Sequence, residues 1–304
     1  MASVSNLIPA CRVICVGNAR AAHTLLTLLI AMLLAGCSVS GALSALTPGG
    51  AGMRAGVPYG EHPRQRLDVF LPEAPASGVL IVFFFGGSWN RGSPEQIRFV
   101  GKALAARGHV VVLPDYRIYP EVRYPEFLQD SARAVRWAAE NAYALGADPK
   151  RLVLAGHSAG AYNAAMLALD RRWLDEADVP AGQHVAAFVG LAGPYEFLPI
   201  KNPEVQPVFC HPDYPPGTQP ITYVGADSPP AFLAVAPEDS LVDPQRNSGQ
   251  LAAALRAAGV DARYETYPRT SHVLLVAAIS YPLRWLAPVL DDIDAFVRDV
   301  VQER

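Results

Sequence analysis

The chain has 304 residues, of which 51% are hydrophobic and 17% charged, as in an ordinary globular protein with one large core. A formal net charge of -3 excludes the strongly basic surface that binds nucleic acid, so we expect no nucleic-acid partner. The sequence contains no HExxH, CxxC or carboxylate array, and no G-x-G-x-x-G after the first strand. We therefore expect neither a metal nor a cofactor.

The first 36 residues have the pattern of a secretory signal peptide. Residues 24–34 form an apolar run that is too short to span a bilayer and is typical of the hydrophobic region of a signal. The run ends in Leu34-Ala35-Gly36-Cys37, which resembles the bacterial lipoprotein lipobox, in which the cysteine is lipidated and becomes the first residue of the mature protein. An ordinary signal peptide or membrane anchor with an incidental cysteine is the alternative.

The residue after Cys37 is Ser38 rather than Asp, and the lipoprotein resemblance then implies the outer membrane, on its periplasmic side. Residues 37–56 are rich in Gly, Ala and Ser and are predicted to form a flexible tether. After processing, Cys210 is the only thiol besides Cys37, so no intramolecular disulfide is expected.

From residue 57 onward, apolar runs alternate with helical patterns. Strands are predicted at 64–71, 78–84, 109–113, 152–155, 185–191, 231–236 and 262–267. Helices are predicted at 93–107, 125–145, 161–169, 244–258 and 282–301. This alternation predicts a mostly parallel central sheet with helices on both faces.

The segment 193–230 interrupts that pattern, because it carries ten of the 27 prolines and has no sustained periodicity. We predict a short Pro-rich cap loop near the functional site. Its aromatic residues either line a substrate pocket or pack the loop onto the body: Tyr195, Phe197, Phe209, Tyr214 and Tyr223.

The pentapeptide Gly156-His157-Ser158-Ala159-Gly160 fits G-x-S-x-G, a nucleophile elbow, and follows a buried strand. A strand that reverses sharply into a helix needs small residues on either side of the central serine. The serine hydroxyl is then exposed at the edge of the sheet, over a helix N-terminus that favours negative charge. The side chain of His157 is expected to point away from that hydroxyl.

A serine nucleophile needs a base, and the base needs a carboxylate that orients it. His272 follows the last predicted strand and is our choice among seven histidines. The strand before it leads into Glu238, Asp239 and Asp243; we choose Asp239, with Asp243 as its competitor and Glu238 third. The chain order Ser158, Asp239, His272 is the order that an α/β-hydrolase requires.

From about residue 57 to 304 the chain resembles the α/β-hydrolases, in particular esterases related to hormone-sensitive lipase, kynurenine formamidase and bacterial carboxylesterases. The segments that carry the resemblance are Gly86-Gly87-Ser88-Trp89, Asp115-Tyr116-Arg117 with Pro120, Pro125 with Asp130, the elbow, residues 237–242 and His272. The resemblance places Asp239, not Asp243, at the catalytic acid. It also implies that Asp130 supports the loop of residues 115–117.

One position departs from this pattern, because the family usually has a histidine where this chain has Phe85. The resemblance implies an oxyanion hole made of the backbone N–H groups of Gly87, Ser88 and Ala159, and losing the histidine removes a hydrogen bond that braces this loop. Trp89 and Phe85 are expected to line the substrate pocket. For Trp89, a role as a core anchor of the loop is an equal alternative.

These observations predict an α/β-hydrolase fold and a serine hydrolase that cleaves a small-molecule carboxylic ester through an acyl-enzyme. The alternatives are an amidase or formamidase of the same fold, and a non-catalytic envelope lipoprotein that binds a ligand. A lipid on Cys37 would hold the protein on a membrane. The natural substrate and the oligomeric state are left open.

Overall fold

The computed structural model describes residues 38–73 and 76–302. Cys37 and the predicted signal peptide lie outside these ranges. Among the helices within them, none has the length and apolarity needed to cross a bilayer.

The centre of the molecule is an eight-stranded sheet in the order β1-β2-β4-β3-β5-β6-β7-β8. The strands are β1 Gly52–Pro58, β2 Arg66–Leu71, β3 Leu80–Phe84, β4 Val110–Pro114, β5 Leu152–His157, β6 Val185–Leu191, β7 Ala231–Val235 and β8 Ala262–Thr266. Only β2 runs against its neighbours, β1 and β4, and the remaining pairs are parallel. The predicted mostly parallel sheet is confirmed. Strands β3 to β7 are buried along their whole length, which explains their continuous apolar sequences.

Nine α-helices are present in the described part of the chain. They are α1 Val39–Leu46, α2 Arg98–Ala105, α3 Glu126–Asn141, α4 Ala159–Leu169, α5 Arg172–Asp175, α6 Ala181–His184, α7 Gln250–Ala257, α8 His272–Ala277 and α9 Val289–Gln302. One layer is formed by α3 and α4, which pack on each other and on β3 to β6, and another by α2 and α9. Helices therefore cover both faces of the sheet, as predicted.

Several predicted helices are shorter than expected because tight turns replace their ends. The predicted helix 282–301 consists of a 3₁₀ segment, Tyr281–Leu286, followed by α9. Pro288 separates the two, since a proline removes a backbone donor and disfavours helical geometry in the residue before it. The predicted helix 244–258 similarly begins with a π-helical turn, Gln245–Gly249.

The prediction of a flexible tether is wrong for the described part of residues 37–56, which forms α1 and most of β1. Ser38 caps α1, because its hydroxyl accepts a hydrogen bond from the N–H of Gly41. Lys102 Nζ on α2 lies 2.6 Å from the carbonyl oxygen of Ser44, which ties the helix to the body. The Gly- and Ala-rich composition misled the prediction, because small residues also permit close packing of a helix against its neighbour.

Candidate active site

The serine of the elbow lies in a strained turn between β5 and α4. Ser158 has φ 55° and ψ −123°, a backbone conformation that costs a non-glycine residue about 1–3 kcal/mol. A Cβ atom on Gly156 would lie 2.3 Å from the carbonyl oxygen of Gly160, and one on Gly160 would lie 2.2 Å from that of Phe84. Positions 156 and 160 therefore accommodate only glycine, whose side chain is a hydrogen atom.

The chosen base and acid lie in line with the serine hydroxyl. His272 begins α8, and its Nε2 is 2.8 Å from Ser158 Oγ. Its Nδ1 is 2.6 Å from Oδ2 of Asp239, which lies in the loop after β7. The other carboxylate oxygen of Asp239 accepts hydrogen bonds from the N–H groups of Leu241 and Val242. The whole carboxylate is thus fixed against the imidazole.

The two competing acids are placed elsewhere. Asp243 Oδ1 accepts a hydrogen bond of 2.9 Å from the N–H of Arg246, so this carboxylate caps the π-helical turn that begins α7. Glu238 is exposed. Of the three acids after β7, Asp239 is the one whose carboxylate contacts His272.

The electrostatics of Asp239 favour a carboxylate. Burial alone would raise its pKa, but the hydrogen bond from His272, the positive charge that this ring carries when protonated and the two backbone N–H groups outweigh burial. The pKa of Asp239 is therefore lowered. An ionised Asp239 accepts a hydrogen bond from Nδ1–H of His272, which leaves the lone pair on Nε2 free to accept the proton of the serine hydroxyl.

His157 makes a contact that the sequence did not reveal. Its Nε2 lies 2.8 Å from the backbone carbonyl oxygen of His272, and the two rings are 4.9 Å apart. Burial and the nearby His272 lower the pKa of His157 to about 3, so the ring is neutral. A neutral ring with its proton on Nε2 donates a hydrogen bond to that carbonyl.

The loop after β3 is braced without the usual histidine. Phe85 is 1% exposed, and its ring stacks on Tyr116 at a centroid distance of 4.4 Å. The Tyr116 hydroxyl also donates a hydrogen bond of 2.8 Å to the carbonyl oxygen of Phe85. Asp130, wholly buried, accepts hydrogen bonds from the backbone and guanidinium of Arg117 and so supports the neighbouring segment.

The backbone of this loop lies against the serine. A Cβ atom on Gly86 would be 2.9 Å from Ser158 Cβ. Gly87 and Ser88 line the same cavity as Ser158 and Ala159, and among the described residues neither of their N–H groups has an acceptor. The amide of Ala159 opens α4, where N–H groups lack helical partners. These amides are free to bind an anionic oxygen beside the serine.

Trp89 and Phe85 both line the cavity, but each lies almost entirely in the core. Trp89 is 2% exposed, and its Nε1 donates a hydrogen bond of 2.9 Å to Oδ1 of Asn163 on α4. Its ring also packs edge-on against Tyr162 and Phe209. These contacts favour the alternative role of Trp89 as the anchor of the loop.

The aromatic residues of the cap segment are divided between the two expected roles. Phe197 lines the cavity and lies beside Trp89 at a centroid distance of 6.3 Å. The other four pack the segment onto the body: Tyr195, Phe209, Tyr214 and Tyr223.

The cavity over Ser158 has a volume of about 1050 Å³. Two parts of its wall were not expected from the sequence: Val39 and Leu43 of α1, and the cations Lys201 and Arg246. Arg246 is paired with Glu196 at 2.5 Å. Within residues 38–73 and 76–302, no group of His, Cys, Asp or Glu side chains is placed to hold a metal ion.

Comparisons with known proteins match this architecture. The BD-FAE family profile matches residues 67–255. A probable isoprenylcysteine alpha-carbonyl methylesterase of Oryza sativa subsp. japonica is 31% identical over 151 residues, 48% of this chain and 36% of that protein. The esterase LipC of Mycobacterium tuberculosis is 31% identical over 227 residues, 67% of this chain and 55% of that protein. The chain thus spans between a third and about half of the length of these two relatives.

A solved structure, described as a truncated form of a carbohydrate esterase from gut microbiota, superposes with a TM-score of 0.68. It covers 84% of this chain and 99% of that one at 18% sequence identity, a similarity that establishes the fold.

Proposed function

The chain belongs to the BD-FAE family of α/β-hydrolases, and from that membership and the geometry around Ser158 we propose that it is a serine carboxylesterase. The observation that carries the proposal is the continuous hydrogen-bonded line from Ser158 Oγ through His272 to Asp239. A ligand-binding protein would need none of these three groups in line. Both relatives described above are named as esterases, which favours an ester over an amide.

The first half of the reaction forms an acyl-enzyme. Ser158 Oγ attacks the ester carbonyl carbon while Nε2 of His272 takes the hydroxyl proton. The imidazolium that results is stabilised by the ionised carboxylate of Asp239, which also keeps the ring in the required orientation. When the tetrahedral intermediate collapses, His272 returns the proton to the leaving alcohol oxygen.

The second half releases the acid. A water molecule gives a proton to Nε2 of His272 and attacks the acyl carbonyl, and collapse of the new intermediate returns the proton to Ser158. In both halves the carbonyl oxygen carries a developing negative charge. The N–H groups of Gly87, Ser88 and Ala159 are the proposed donors to it, and removal of one such donor typically costs about 2.7–4 kcal/mol of the barrier.

The proposed activity is tested with short p-nitrophenyl esters and the Ser158→Ala variant. We expect the wild-type chain to hydrolyse the esters and the variant to lose on the order of 10⁴-fold or more in kcat. The variant should keep the wild-type circular dichroism spectrum, since only a hydroxyl is removed. Ser228→Ala, in the cap segment and outside the cavity, is the matched control and should keep full activity.

A fluorophosphonate probe separates catalysis from binding. We expect it to label wild-type Ser158 and to leave the Ser158→Ala variant unlabelled. Absence of both turnover and labelling in the wild-type chain would leave a non-catalytic ligand-binding role. Faster turnover of matched anilides than of esters would make the protein an amidase.

We further propose that the protein is a lipoprotein of the bacterial envelope, held by a lipid on Cys37 and facing the periplasm from the outer membrane. The support is the sequence Leu34-Ala35-Gly36-Cys37 at the end of an apolar run. One acyl chain anchors a protein only marginally, and two or three hold it firmly.

Globomycin should make the precursor accumulate, as should Cys37→Ser, whereas Cys210→Ser should be processed normally. Normal processing of Cys37→Ser would contradict the proposal.

A further inference from the structure

Exposed apolar side chains are concentrated in one part of the molecule. Nine large hydrophobic residues are exposed in the described part of the chain. Two of them lie on other elements, Met53 on β1 and Tyr143 after α3. The other seven, here called the apolar rim, are Val39 and Leu46 on α1, Leu241 after β7, Val273 and Leu274 on α8, and Tyr281 and Trp285 in the 3₁₀ segment after α8.

Three residues of the rim also belong to the wall of the active-site cavity. Val39, Leu241 and Val273 line the cavity that contains Ser158, and these residues are 79%, 70% and 63% exposed. Val273 directly follows His272 in the chain. The wall of the cavity therefore includes apolar residues that also face solvent.

The remaining rim residues extend this surface beside α1. Val39 and Leu46 are seven residues apart on α1 and thus lie on one face of the helix. The N–H of Tyr281 donates a hydrogen bond of 3.1 Å to Thr47 Oγ1, directly after Leu46. Trp285 follows in the same 3₁₀ segment and is 66% exposed.

The chemistry of the rim matches a lipid–water interface. Tyrosine and tryptophan favour such interfaces, because their rings are apolar and their polar atoms reach water. The guanidinium of Arg284 lies 5.7 Å from the ring centroid of Tyr281 and adds a positive charge that would attract anionic headgroups. Ser38, which follows the proposed lipid-bearing Cys37, caps α1 directly before Val39, so a lipid on Cys37 would be attached next to the rim.

We propose that the apolar rim docks on a lipid surface, so that the cavity opens into the membrane and takes esters that partition into lipid. The inference rests on the proposed esterase function and assigns its substrate class. Lipid-soluble esters would diffuse from the bilayer past Val39, Leu241 and Val273 to Ser158, without crossing water. Water-soluble esters would enter only when the rim is away from the membrane.

Docking is tested by fluorescence, which does not depend on activity. The full-length protein is reconstituted in vesicles of phosphatidylethanolamine and phosphatidylglycerol that contain acyl chains brominated near the headgroup. We expect the bromine to quench Trp285, so that the quenched component disappears in Trp285→Phe. The second variant carries Tyr143→Trp in the Trp285→Phe background. We expect the tryptophan at position 143 not to be quenched, because residue 143 precedes the amino end of β5 whereas Ser158 follows its carboxyl end.

Equal quenching at positions 143 and 285, or none at 285, would overturn the docking. An unquenched Trp285 in a protein that sediments as a dimer would assign the rim to a second copy of the chain.

The substrate class is tested by comparing two esters in the same vesicles. One is a long-chain 4-methylumbelliferyl ester dissolved in the bilayer, and the other is soluble p-nitrophenyl butyrate. The variant Leu46→Ser/Tyr281→Ser/Trp285→Ser should lose roughly tenfold in the rate on the bilayer ester. It should hydrolyse the soluble ester at least as fast as the wild type, because its cavity spends more time away from the membrane. The matched control Met53→Ser/Tyr143→Ser should keep both rates.

The substrate class would be refuted if the rim variant hydrolysed each ester at the wild-type rate. It would also be refuted if the variant lost the same factor in rate on both esters. A wild-type protein that hydrolyses neither ester would refute the proposed esterase function instead, and the quenching result would still decide whether the rim docks.

Discussion

The imidazole of His157 donates a hydrogen bond of 2.8 Å to the backbone carbonyl oxygen of His272. His157, which directly precedes Ser158, thereby holds the backbone of His272, whose side chain contacts Ser158. The contact joins the elbow after β5 to the start of α8, two segments 115 residues apart in the chain. This hydrogen bond fixes the position of the His272 backbone, whereas the hydrogen bond to Asp239 fixes the rotation of the His272 ring.

We predict that His157→Ala lowers kcat on a soluble ester by roughly 10- to 100-fold while KM changes little, because small displacements of a reacting group are costly. His157→Gln should recover most of the activity, since its amide N–H₂ can replace Nε2–H as donor. Steady-state kinetics of the three proteins decide this. Equal losses in the two variants would show that the hydrogen bond to His272 is not what the imidazole provides.

The same histidine should make stability depend on pH. Its pKa is about 3 in the folded protein and near 6.5 in an unfolded chain, so the unfolded state binds more protons between these values. Folded-state stability is therefore lost as the pH falls from about 6.5 towards 3, by at most about 4–5 kcal/mol. Burial raises the pKa of Asp115 to about 6, which acts in the opposite direction between about 4 and 6.

Comparing the wild type with His157→Gln separates the contribution of His157 to the pH dependence of stability from that of Asp115, because Asp115 is present in both proteins. Urea unfolding at pH 7, 6, 5 and 4 should show the wild type losing more stability than the variant on acidification. Parallel curves for the two proteins would contradict the burial of an uncharged imidazole at this position.

The sequence predicted the features that depend on local pattern. Continuous apolar runs identified the buried parallel strands, and Gly156 and Gly160 marked a turn in which a Cβ atom has no room. Because the carboxyl ends of parallel strands meet at one edge, residues after β5, β7 and β8 were expected together, and the structure places Ser158, Asp239 and His272 within hydrogen-bonding distance.

Features that depend on distant contacts were not predictable in this way. The sequence of α1 has a tether-like composition, and its order comes from contacts with Lys102 and Tyr281, residues far along the chain. The stacking of Phe85 on Tyr116 likewise compensates for a missing histidine through a residue 31 positions away. No periodicity or spacing encodes such pairs.

Gly86 provides a test of how closely the loop must approach the serine. A Cβ atom there would lie 2.9 Å from both the carbonyl oxygen of His157 and Cβ of Ser158. Gly86→Ala should therefore push the loop away from the oxyanion position and lower kcat by on the order of 10²-fold. Gly52→Ala is the matched control, because no atom lies within 4 Å of its added Cβ, and it should keep full activity. If Gly86→Ala is as active as Gly52→Ala, catalysis does not depend on the close approach of the loop to Ser158.

The last prediction concerns the acid that orients His272. Asp239 accepts the Nδ1–H of His272 at 2.6 Å, whereas Asp243 accepts the N–H of Arg246 at 2.9 Å. Asp239→Asn replaces one acceptor oxygen with a donor, so it favours the imidazole tautomer whose proton is on Nε2, where it cannot take the serine proton. We expect kcat to fall by on the order of 10⁴-fold, as in the corresponding serine-protease substitution.

Asp243→Asn should keep most of the activity, since asparagine caps a helix about as well as aspartate. Both variants should unfold at similar urea concentrations, so the comparison is between two folded enzymes. Burst kinetics with a p-nitrophenyl ester distinguish the roles further, because the loss in Asp239→Asn should already appear in the acylation step. The reverse pattern, with activity lost in Asp243→Asn and kept in Asp239→Asn, would transfer the orienting role to Asp243 and require the loop after β7 to rearrange in solution.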